Sequence, residues 1–168
     1  TPDVPSDEET DNVSDVVAPA TEDQDAADNG ISLVAAANTY YVANNAAGGS
    51  DVRGDGSETT PFMTIGKAIE AAANEDEINI VLMSDISATQ ELKFEDSSKT
   101  INFSSIGSSN FKIQYTGSTP IGTESGFIKV TGGATVNFNG VDLYGSTGTY
   151  DGRVIYVADK GTVNLTNT

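Results

Sequence analysis

Chemistry in this chain must come from carboxylates, amides, Tyr, Lys and Arg. It has no His and no Cys, so Ser-His-Asp, Cys-His and His-zinc chemistries are excluded within these 168 residues. With no thiol there is neither a disulfide framework nor a thiolate metal site. Three sets of residues have types and spacing that would serve a function. Asn137 and Asn164 occupy the same place in two alternating segments, and Lys129 and Tyr156 are matched in the segments before them. Amide groups and Tyr faces suit hydroxyl-rich ligands, so Asn137, Asn164, Tyr156 and the neighbouring Tyr144 are the candidate ligand-binding residues. The competing reading is a solvated sheet face on which like amides stack. In the Gly/Asn/Asp-rich stretch 44–56, Asp51, Asp55 and Gly56 fall where positions 1, 5 and 6 of an EF-hand loop would be, but position 3 is Arg53 and position 12 is Phe62. That excludes an EF-hand. It leaves an irregular calcium site using Asp51, Asp55 or Glu58 as the metal expectation, with Asx-type turns as the alternative. Finally, Asp142 and Asp151 flank a Gly-rich turn beside Arg153, and paired carboxylates can hydrolyse glycosidic bonds. No further charged cluster surrounds them, so no catalytic residue is assigned and the segment is read as non-enzymatic.

The elements that position these residues are written as a repeat. Phe127-Ile-Lys-Val-Thr-Gly-Gly-Ala-Thr-Val-Asn-Phe-Asn139 recurs 27 positions later as Val154-Ile-Tyr-Val-Ala-Asp-Lys-Gly-Thr-Val-Asn-Leu-Thr166, with Ile128/Ile155, Val130/Val157, Thr135/Thr162, Val136/Val163 and Asn137/Asn164 identical. Alternating segments joined by Gly-containing turns and repeated at this period are what a stacked solenoid requires, because each coil sets like side chains on like side chains. Eight apolar pairs at i, i+2 follow the same logic: Leu92/Phe94, Ile101/Phe103, Ile113/Tyr115, Ile128/Val130, Val136/Phe138, Val141/Leu143, Ile155/Val157 and Val163/Leu165. The first three are expected to form one coil, the next three a second and the last two an unfinished third. Short alternating strands with Gly turns also suit an antiparallel β-sandwich, the alternative fold, and Asn139-Gly140 is a hairpin signal that favours it.

Eight Lys/Arg stand against 25 Asp/Glu, a net charge of −17. That argues against nucleic-acid binding, which needs basic residues on phosphates. The longest largely apolar run, 31–37, interrupted only by Ser32, is too short to span a bilayer, so no membrane insertion is expected. Residues 1–28 hold ten of the acidic residues, no Lys or Arg and no aromatic residue, and cannot bury enough surface to order themselves. We therefore expect a disordered acidic leader over 1–30, then an N-terminal cap over 31–76. The cap holds the strand Thr39-Tyr-Tyr-Val42, the Gly/Asp loop and a helix over 61–73. Thr60 would cap that helix and Pro61 would occupy its first position, with Phe62, Ile65, Ile69 and Ala72 as its apolar stripe. A strand at Glu77–Leu82 opens the expected first β-helix coils, 77–168, the last of them truncated mid-coil.

Tyr40-Tyr-Val-Ala, Gly49-Ser-Asp-Val-Arg-Gly-Asp-Gly-Ser and Pro61-Phe-Met-Thr-Ile-Gly-Lys-Ala-Ile69 together resemble the entry segment of the secreted right-handed parallel β-helix proteins of the pectate-lyase-like superfamily. The resemblance covers roughly 39–73. It implies an all-β, right-handed parallel β-helix closed at its N-terminal end by a short α-helix, in a bacterial, extracellular or cell-surface protein. It does not imply one activity, because enzymes and non-enzymatic surface proteins share this entry. The Gly-His-Gly and Arg-x-Lys signatures of the superfamily's polygalacturonase-like members are absent. The expected function is a scaffold or adhesin contacting a polysaccharide or host-surface glycan; the alternative is the N-terminal part of a polysaccharide lyase or glycoside hydrolase whose active site lies on later coils. Self-association through an open coil end is a further expectation, since unpaired strands recruit other chains.

Overall fold

The computed structural model describes residues 38–118, 121–122, 125–146 and 153–168. The acidic leader expected over 1–30, the start of the expected cap at 31–37, and Asp151 lie outside them. The described strands are β1 (Thr39–Val42), β2 (Glu77–Leu82), β3 (Ile86–Ala88), β4 (Leu92–Phe94), β5 (Thr100–Ser105), β6 (Phe111–Tyr115), β7 (Gly126–Val130), β8 (Thr135–Asn139), β9 (Val141–Tyr144), β10 (Arg153–Val157) and β11 (Thr162–Thr166), with a short 3-10 turn (Asn45–Ala47) and one α-helix, α1 (Ile65–Ala71), after β1. They build three sheets, ordered β1-β2-β5-β8-β11, β4-β7-β10 and β3-β6-β9. Apart from β1, each sheet takes every third strand of the chain, and all these strand pairs are parallel. The protein is thus an all-β parallel structure, and the antiparallel sandwich, whose strands would reverse direction, does not describe it.

Registers follow the alternation. Ile78, Ile101, Val136 and Val163 lie in one row, and Ile80, Phe103, Phe138 and Leu165 in the next. Leu92, Ile128 and Ile155 form the equivalent row of the second sheet. Except for the last strands these side chains are buried, and the Phe103 and Phe138 rings stack at 4.9 Å between centroids. Gly126–Val130 and Arg153–Val157 pair in the same sheet, as the 27-residue echo requires. In the third sheet Phe111 lies against Val141 and Ile113 against Leu143. β3 was not anticipated, because three residues with a single fully apolar inward position leave little alternation to see.

The helix also begins later than expected. Thr64, not Thr60, is its N-cap: the Thr64 hydroxyl accepts from Lys67 N at 3.1 Å. Phe62 is instead extended and joins Val42 in a parallel bridge. Its N–H donates to Tyr41 O at 3.0 Å and its carbonyl accepts from Ala43 N at 2.9 Å, while its ring stacks on Tyr40 at 6.1 Å. Pairing with the outer edge of β1 demands extended backbone at 62, which postpones the helix by a turn. Gly56 sits between these two rings at φ +82°, and a Cβ there would lie 2.5 Å from Phe62 and 2.9 Å from Tyr40, so both conformation and space require glycine. Ile65, Ala68 and Ala72 are buried, as a helix covering an apolar surface needs. Among the described residues, no helix is long and apolar enough to cross a membrane.

Candidate functional site

Strand alternation turns one side chain in two outward, and parallel register lines those side chains up from strand to strand. On the five-stranded sheet the outward row is Asn79, Asn102, Asn137 and Asn164. Each amide donates to the oxygen of the rung before it: Asn102 Nδ2 to Asn79 Oδ1 at 3.0 Å, Asn137 Nδ2 to Asn102 Oδ1 at 2.7 Å, and Asn164 Nδ2 to Asn137 Oδ1 at 2.7 Å. Asn102 Nδ2 also reaches Glu77 Oε1 at 3.0 Å. The two candidate asparagines thus stack as expected, but as the last half of a longer ladder. Asn79 and Asn102 escaped the sequence reading because the steps along the row, 23, 35 and 27 residues, are unequal. The signal was there: each of the four is flanked on both sides by an apolar residue of a strand.

The sheet β4-β7-β10 carries a different outward row, Lys93, Lys129 and Tyr156. Here the stacking of Lys129 on Tyr156 is as the repeat implied. Neither lysine can accept a hydrogen bond, so each turns to a carboxylate: Lys93 Nζ to Glu91 Oε2 at 3.3 Å and Lys129 Nζ to Glu95 Oε1 at 3.1 Å. The Glu95 hydrogen bond raises the pKa of Lys129, working against partial desolvation. Arg153 lies over the Tyr156 ring at 5.7 Å, a cation–π arrangement. Tyr144 is on the third sheet, half exposed, with Lys112 Nζ 5.7 Å from its ring. The four candidate ligand-binding residues therefore lie on three sheets: Asn137 and Asn164 share one face, and Tyr156 and Tyr144 each occupy another.

In the loop before α1 the carboxylates are used for folding. Asp51 accepts from Met63 N at 2.7 Å, Thr64 N at 3.0 Å and the Thr64 hydroxyl at 2.7 Å, so it closes the helix start across 13 residues of chain. Asp55 accepts from Ser57 N at 2.9 Å and from the Thr60 hydroxyl. Those bonds hold its pKa down to about 2, the Thr60 hydroxyl contributing most. This is the Asx-turn alternative. Among the described residues no group of three or more Asp and Glu gathers, and Asp51 and Asp55 already accept from backbone and hydroxyl donors of their own loop. At the same end, Tyr40 donates to Glu75 Oε1 at 2.8 Å, and burial together with that carboxylate pushes the phenol up to about 12. Asp142 accepts from Asn110 Nδ2 at 3.3 Å, and its expected neighbour Asp151 lies outside the described residues.

No family model, curated protein or solved structure matches this chain.

Proposed function

We propose that the chain forms the first coils of a right-handed parallel β-helix of the pectate-lyase-like type, closed at one end by α1. On this reading it belongs to a bacterial extracellular or cell-surface protein and serves as a non-enzymatic scaffold or adhesin that contacts glycans. The observation that carries the reading is topological: three parallel sheets each take every third strand, with the inward rows in register, which is how a solenoid coils. Support for a glycan contact comes from the row Lys93, Lys129 and Tyr156. Its aromatic face and ion-paired head groups point outward, where hydroxyl-rich chains could stack and hydrogen-bond. The asparagine row, which the sequence favoured equally, spends its amides on one another and contributes rigidity.

A glycan array probed with the 168-residue chain, alongside a polysaccharide-cleavage assay on the positive glycans, tests this. We expect binding that Tyr156→Ala abolishes, no released product, and no effect of Tyr156→Ala on the unfolding midpoint. Product release, or binding indifferent to Tyr156 and Lys129, would overturn the assignment.

A further inference from the structure

The row Lys93, Lys129 and Tyr156 has its donors spent and part of its acceptor capacity free. Lys93 Nζ is held by Glu91 Oε2 at 3.3 Å and Lys129 Nζ by Glu95 Oε1 at 3.1 Å, and Arg153 lies over the Tyr156 ring. Beside the row a hollow of about 580 Å³ is lined in part by Lys93, Glu95, Asp96 and Lys99. Lys99 is spent at the end of α1, where it donates to Ala73 O at 2.9 Å and Glu75 O at 2.7 Å. The carboxylates are less fully used. Glu95 Oε2 and Asp96 Oδ2 receive no hydrogen bond among the described residues. Glu91 Oε1 is buried without a partner, so only the other oxygen meets Lys93. Ser98 donates to Asp96 Oδ1 through its N at 3.0 Å and its hydroxyl at 2.8 Å, bonds that hold the Asp96 pKa below the usual carboxylate range and keep it ionised.

Charged and uncharged sugars meet such a face differently. The carboxylate of a uronate, or a sulfate, offers acceptors only. To bind, it must take Lys93 or Lys129 from its glutamate and leave that glutamate beside its own charge, a like-charge juxtaposition that works against the complex. The chain's net charge of −17 opposes its approach as well. A neutral sugar brings hydroxyls, which donate. Glu95 Oε2 and Asp96 Oδ2 can accept from them with both ion pairs intact, while the Tyr156 ring covers an apolar sugar face. From Lys93 to Tyr156 is two strand spacings, about 10 Å, so one oligosaccharide lying across the strands reaches both.

Resting on the glycan contact proposed above, we infer that the glycans this row takes are uncharged, and that Glu91 and Glu95 exclude acidic ones. The test is an array of hexose oligosaccharides, each printed beside its uronate and its sulfate ester, with affinities measured for the pairs that bind. The parent chain should bind the neutral member at least about tenfold more tightly than either charged member, and added salt should change the neutral affinity little. Glu95→Gln, which releases Lys129, should shift that ratio about tenfold towards the charged members, and Glu91→Gln should do the same through Lys93. Each ratio is taken on one protein, so partial misfolding lowers both affinities and leaves it unmoved. Charged members bound by the parent as tightly as neutral ones, or a ratio that neither variant moves, would overturn this inference while the glycan contact stands. No binding to any member of any pair would overturn the glycan contact, and the inference with it.

Discussion

The outward faces of β5-β8-β11 and β4-β7-β10 are built on the same geometry and solve opposite problems. Both stack one side chain per strand at the spacing of a parallel sheet, roughly 4.8 Å. On the first face the residue is Asn, which donates and accepts, so identical neighbours satisfy one another and the row closes on itself. On the second the repeated residue is Lys, which only donates. Stacked on its own kind it would repel, and the sequence supplies Glu91 and Glu95 as counter-charges. Repetition alone therefore does not create a binding surface. A row that completes its own hydrogen bonds has little left to offer a ligand, while one that must look sideways for partners keeps its head groups and its Tyr156 ring facing out.

If that contrast is right, substitutions on the two faces should separate by size. The largest loss belongs to Asn102, which donates to Asn79 and Glu77 and accepts from Asn137. Asn102→Ala should cost about 2–3 kcal/mol in urea unfolding at neutral pH, since part-buried partners on both sides are left unmet. A loss indistinguishable from that of a solvent-facing residue would break the comparison. Asn164→Ala, the last rung of the described row with one bond to lose, should cost about 1 kcal/mol. Tyr156→Ala should leave the midpoint nearly unchanged while removing glycan binding; the reverse pattern would move the ligand to the asparagine face.

A fourth substitution asks whether a carboxylate in the loop before α1 is structural in the same sense. Asp51→Ala strips three donors of their acceptor at the helix start. We expect a loss of about 1–2 kcal/mol, of the order of other lost helix caps, unaffected by added calcium. Stabilisation of the parent chain by calcium that Asp51→Ala abolishes would favour the metal reading over the turn-forming one.

What the sequence made legible is what parallel stacking writes into it. All five identities of the 27-residue echo are register partners, as is the pair Ile101/Val136 one strand back, because in a parallel sheet the neighbour of a residue is its counterpart in the next repeat. Features settled by distant partners were hidden. Thr64 looks no better a cap than Thr60 until Asp51 is seen beside it, and Phe62 reads as the start of a helical stripe until Val42 claims it as a strand partner. The asparagine row was half visible: its later step equals the echo, and its earlier ones are disguised by turns of different length. The separation of Tyr144 from Tyr156 was also hidden, since only the assignment of β9 and β10 to different sheets reveals it.

The smallest effect is also the cleanest test of the contrast, because amides do not titrate and ion pairs do. Glu95 raises the pKa of Lys129, so the folded state holds that proton more tightly than the unfolded one. Its contribution is fully present below the ordinary lysine range and is lost as the pH rises through the higher folded value. Raising the pH through this window should therefore loosen the Lys129–Glu95 pair while the asparagine side-chain contacts stay as they were. In NMR the Lys129 ε-methylene should titrate at a higher pH than in Glu95→Gln. Nuclear Overhauser contacts between successive Asn side chains, observed through carbon-bound protons, should not follow it. If they weakened in step with Lys129, the two faces would be coupled through the shared strands, and the division between a self-satisfied face and an outward-looking one would fail.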